Sequence, residues 1–72
     1  MKKIKKIKIK LNGKAKLIEE NSKIQTLIDD LGISIKKIAI ELNHEILDKK
    51  KLNKIKIQKN DKIEIVHFIG GG

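Results

Sequence analysis

Isoleucine or leucine at positions 7, 9 and 11 alternates with Lys8 and Lys10, the period of two expected of a strand with one wetted face. Asn12-Gly13 follows directly, a two-residue hairpin signal because both residues tolerate positive φ. Residues 14–18 then read as the returning strand. From Ile24 the period changes: Ile24, Leu27, Ile28 and Leu31 fall at i, i+3, i+4 and i+7, one apolar face of a helix. Ser22 is the expected N-cap, and Gly32 sits where a left-handed residue commonly ends a helix. Asp29 and Asp30 stand near the C-terminal end, mildly unfavourable against the helix dipole.

Alternation returns over residues 38–42, a third strand turned by Asn43-His44 toward residues 45–47. Residues 48–53 form a charged connection with room for one helical turn. Ile55 and Ile57 mark a short fourth strand, residues 58–61 a turn, and residues 63–68 the last strand. A sheet of four or five strands must bury one face, and the single amphipathic helix is the element available to cover it. The expectation is an α+β fold, a mixed sheet packed on one main helix, in a single domain over residues 1–72.

Composition narrows the function classes. Seventy-two residues form one domain at most, which excludes a large enzyme. The chain has no cysteine, so it cannot make a disulfide, a thiolate metal site or a thioester of its own, in keeping with a reducing compartment. No stretch approaches the roughly 20 apolar residues of a membrane span, and residues 1–11 lack the apolar core of a secretory signal. A soluble protein of the cytoplasm, or of a plastid stroma, is expected, with no membrane partner.

The net charge of +9 comes from 18 basic and 9 acidic residues, and every basic residue is lysine. Such a charge suits an anionic partner. With 16 isoleucines and 5 asparagines, all of AT-rich codons, a biased genome accounts for it as well. The first sixteen residues carry eight lysines and no acid, a stripe able to follow phosphates. Specific nucleic-acid recognition wants arginine forks or stacking aromatics, and the chain has no arginine and one phenylalanine. A small basic RNA-binding module is therefore a remote alternative, and no specific nucleic-acid partner is expected.

Chemistry concentrates at the end of the chain. Gly70, Gly71 and Gly72 follow the last strand, a run that average glycine usage produces at a chosen place about once in three thousand sequences. Without Cβ atoms such a segment passes a narrow channel and leaves the Gly72 carboxylate open to attack. Upstream, Val66 and Phe68 alternate away from Ile63 and Ile65. They form either an outward apolar patch that docks a partner or side chains packed at the core edge, and Ile69 shares that ambiguity. No Ser-His-Asp set, nucleotide-binding glycine loop or metal-ligand helix motif is present. His44 and His67 are too few to hold a metal without carboxylates, and their neighbours Glu45 and Glu64 give no ligand spacing, so no metal site is expected.

Three stretches resemble the ubiquitin-like β-grasp sulfur carriers, with the ThiS group of thiamine (thiazole) biosynthesis most similar: Leu11-Asn12-Gly13, the run Ile38-Ala39-Ile40-Glu41-Leu42-Asn43, and Asp61-Lys62-Ile63-Glu64-Ile65-Val66-His67 leading into the glycines. Residues 1–6 look like a basic extension, and His44 and Asn60 replace usual glycines. The resemblance implies a β-grasp fold with a flexible functional tail over residues 69–72. It implies a carrier rather than an enzyme, with no cofactor bound by the chain. A ThiF-like adenylyltransferase would use ATP and Mg²⁺ to adenylate Gly72, with Gly70 and Gly71 threading its active site. A persulfide donor would convert the adenylate to a thiocarboxylate, which would pass sulfur to a ThiG-like thiazole synthase. A MoaD-like molybdopterin carrier and a protein modifier are the alternatives.

Overall fold

The computed structural model describes residues 4–68; the glycine tail and the start of the basic extension lie outside them. Five strands form one sheet: β1 (Lys6–Leu11), β2 (Lys14–Glu19), β3 (Ile38–Leu42), β4 (Glu45–Ile46) and β5 (Lys62–His67). Their spatial order is β2-β1-β5-β3-β4. β1 and β5 run parallel while the other pairs are antiparallel, so the sheet is mixed. The last strand in sequence occupies its centre.

Two hairpins follow from their turn residues. Asn12 (φ 51°) and Gly13 (φ 82°) both adopt positive φ, as the two-residue turn that matches strand twist requires. Asn43 (φ 51°) and His44 (φ 73°) repeat the geometry between β3 and β4, although His44 has the Cβ that makes this region costly. Asn60, at φ 69°, turns the chain into β5.

The helix, α1 (Ile24–Leu31), buries Ile24, Leu27 and Ile28. The core comprises nine isoleucines and two leucines, with Ile9, Ile18, Ile38, Ile40, Ile63 and Ile65 supplied by the sheet. β-Branched side chains suit a pleated surface, and each one buried contributes about 1.5–3 kcal/mol. Among the described residues no buried side-chain polar atom lacks a hydrogen-bond partner.

The helix departs from expectation at both ends. Its N-cap is Lys23, with no side-chain capping bond. Ser22 instead turns back, its hydroxyl donating to the Glu19 carbonyl at 2.6 Å. The C-cap is Gly32 at φ 67°, as expected. Leu31 is exposed because the chain turns at Gly32 and supplies Ile33 and Ile35 to the core margin in its place.

The fourth strand expected at Ile55 and Ile57 is a single bridge, Lys23 to Lys56. Its backbone bonds go to the start of α1: the Ile24 amide donates to the Ile55 carbonyl, and the Ile57 amide to the Ser22 carbonyl. Alternation there serves to bury Ile57, and the two-residue β4 takes the sheet edge. The charged connection contains a 3₁₀ turn at Lys49–Lys51, capped by the Asp48 carboxylate, which accepts from the Lys50 amide. A similar turn at Ile35–Lys37 leads into β3.

Candidate functional site

β5 delivers the chain to its glycine end, and each of its neighbours grips it. On one side the antiparallel ladder to β3 runs from Ile38 opposite His67 to Leu42 opposite Ile63. On the other, β1 contributes a parallel pairing at Lys10–Lys62 and Leu11–Ile63. Both hairpin asparagines extend that grip. The Asn12 amide donates to the Ile63 carbonyl, and its side-chain oxygen accepts from the Ile65 amide at 2.7 Å. Asn43 accepts from the Lys62 amide at 2.9 Å and donates to the Asp61 carboxylate at 3.0 Å. Asp61 in turn accepts from the Gln58 amide, closing the turn before β5.

At the other end of β5, Val66 lies opposite Ala39, and the Phe68 amide donates to the Lys37 carbonyl at 2.8 Å. Val66 is 52% and Phe68 56% exposed, so both stand outward, whereas Ile63 and Ile65 enter the core. The Lys49 ammonium sits 5.3 Å from the centroid of the Phe68 ring, within cation–π range. Ile69, Gly70, Gly71 and Gly72 lie outside the described residues. The structure thus places an outward apolar pair at the point where the chain leaves the sheet.

A second grouping was not visible along the chain. Glu41 of β3 is paired directly with Glu64 of β5, and the turn brings His44 to both. Ligand-type atoms of Glu41, His44 and Glu64 all lie within 4.8 Å of one another. Strand pairing assembles this cluster, so spacing in sequence gives no sign of it; the register of Leu42 against Ile63 is the missing information. His67 lies toward the other end of β5, opposite Ile38.

A mixed five-stranded sheet with its last strand central and one helix packed on the buried face defines a ubiquitin-like β-grasp protein. The family described as ThiS matches residues 9–72, and the chain belongs to that family. It is 37% identical over 65 residues to the sulfur carrier protein ThiS of Bacillus subtilis, covering 89% of this chain and 98% of that protein. A crystal structure of the thiamine biosynthesis protein ThiS from Geobacter metallireducens superposes with a TM-score of 0.80 at 25% identity, covering 92% of this chain and all of that one. The chain is also 35% identical over 66 residues to a thiazole synthase of Paramagnetospirillum magneticum. It spans only 20% of the length of the thiazole synthases it matches.

Among the described residues no helix is long and apolar enough to cross a membrane.

Proposed function

We propose that this chain is the sulfur carrier of thiazole formation in thiamine biosynthesis and that Gly72 is the residue modified. The family match through residue 72, which takes in all three terminal glycines, carries this reading. A carboxylate oxygen of Gly72 attacks the α-phosphorus of ATP on a ThiF-like adenylyltransferase, with Mg²⁺ neutralising the phosphates, and pyrophosphate leaves. The terminal sulfur of a persulfide then attacks the acyl carbon and AMP departs. A thiol cleaves the resulting acyl disulfide, is itself oxidised to a disulfide, and leaves a thiocarboxylate on Gly72.

Every reactant except the carboxylate belongs to a partner, so the chain acts as carrier and co-substrate and binds none of the nucleotide chemistry itself. Gly70 and Gly71 present the narrowest main chain to the partner's active site. Val66, Phe68 and Ile69 form the docking patch beside it, consistent with the outward placement of the first two. The thiazole synthases among the relatives favour a ThiG-like synthase over a molybdopterin enzyme as the sulfur acceptor. A bacterial cytoplasm or a plastid stroma, both reducing, suits a chain without cysteine.

The experiment is an intact-mass measurement after incubation with ATP, Mg²⁺, a ThiF-like adenylyltransferase, a persulfide donor and a thiol reductant. The expected product is heavier by the difference between sulfur and oxygen, and deletion of Gly72 abolishes it. An unchanged mass with active partners, or full conversion of the deletion variant, overturns the reading.

A further inference from the structure

We propose that Glu41, His44 and Glu64 form a binding site for a divalent transition-metal ion of the zinc type. The cluster stands on three independently positioned points: β3, the β3–β4 turn, and β5. Register sets Glu41 directly opposite Glu64, and like charges so placed destabilise a sheet. A cation shared between them removes that repulsion.

The third member is an imidazole held at φ 73°, a conformation that L residues rarely adopt and in which histidine is enriched. The turn would accept glycine there. Histidine supplies a ring nitrogen, a donor that suits zinc and its transition-metal neighbours, whereas carboxylates alone suit magnesium or calcium.

The ligand atoms lie within 4.8 Å of each other, and coordination at about 2.0–2.2 Å from a tetrahedral zinc sets donors about 3.4 Å apart, a closure of at most roughly 1.5 Å. His44 and Glu64 are exposed and Glu41 is half-buried, so rotation of surface side chains achieves this without moving the core. Three protein ligands leave the fourth tetrahedral position to water. The bound ion ties the turn of the β3–β4 hairpin to the central strand, on the face that also carries Val66. Lys10 and Lys62 border the adjoining depression of about 230 Å³ together with His44 and Glu64. Their ammonium groups oppose a cation, so the site is weaker than a buried one.

The site is tested on the full, tag-free chain by titration with ZnCl₂, with MgCl₂ as comparison, followed calorimetrically and through the ring resonances of both histidines. One saturating zinc equivalent is expected, shifting His44 and sparing His67, with magnesium silent and the melting temperature raised by zinc alone. His44→Gly and Glu64→Gln should each weaken zinc binding by about tenfold or more, while His67→Gln leaves it unchanged. His44→Gly also suits the turn, which keeps loss of binding separate from loss of fold. Equal zinc affinity in His44→Gly, a shift centred on His67, or binding of magnesium as tight as that of zinc overturns the proposal.

Discussion

Asn12 illustrates how much one turn residue does here. It adopts the positive φ its hairpin needs, continues the β1 ladder through its amide, and then replaces a missing strand residue by accepting from the Ile65 amide with its side chain. Asn12→Ala keeps the chain length but removes the acceptor and penalises the φ. We expect a loss of about 1–3 kcal/mol, read as a lower urea midpoint with an unchanged slope; Asn12→Asp, which retains the oxygen, should lose less. A midpoint for Asn12→Ala equal to that of the parent would show that the bond contributes nothing. Both Asn-containing turns were legible from their dipeptides, because φ preference is a local property. The Asn12–Ile65 bond joins residues 53 apart in sequence, and the Glu41–His44–Glu64 grouping likewise depends on register, so neither could be read from neighbours in the chain.

At the level of elements, α1 has eight residues, too short to persist alone. Its stability comes from the three side chains it buries. The N-cap position has extended φ and ψ, −99° and 160°, but is occupied by Lys23 without a capping bond. A cation there also opposes the helix dipole and is paired with Lys56 across the bridge. Lys23→Ser therefore supplies an acceptor and removes a repulsion, and should raise stability by about 1 kcal/mol, seen as a higher melting temperature at constant ionic strength. A fall in melting temperature would show that the Lys23 side chain supports the fold in some other way. Periodicity located α1, β1, β3 and β5 because each has one wet and one dry face. It mistook Ile55 and Ile57 for a strand because alternation reports which side chains are buried, and is silent about which backbone they pair with. The Ser22 cap failed by one position: the extended N-cap geometry falls at Lys23, and the Ser22 hydroxyl donates back to the Glu19 carbonyl instead of accepting from a helix amide.

For the molecule as a whole, the sheet places its exposed apolar pair at the end of the central strand, and the cost of testing that patch is small. Phe68→Ala removes an exposed ring and its contact with Lys49, for about 0.5–1 kcal/mol. If the patch docks the activating enzyme, the KM for carrier in adenylation rises by about tenfold or more while kcat changes little and the melting temperature falls by only a few degrees. An unaltered KM would remove Phe68 from the interface. The parallel arrangement of β1 and β5 carries a different consequence, for force. A protease that unfolds substrates by pulling from beyond Phe68 draws β5 along its own length. The hydrogen bonds to β3, to β1 and to Asn12 lie across that direction and are loaded together rather than unzipped in turn. Such a machine meets its greatest mechanical resistance at the first strand it reaches, so the strand from which the chain leaves the sheet also shields the domain from being dismantled from that end.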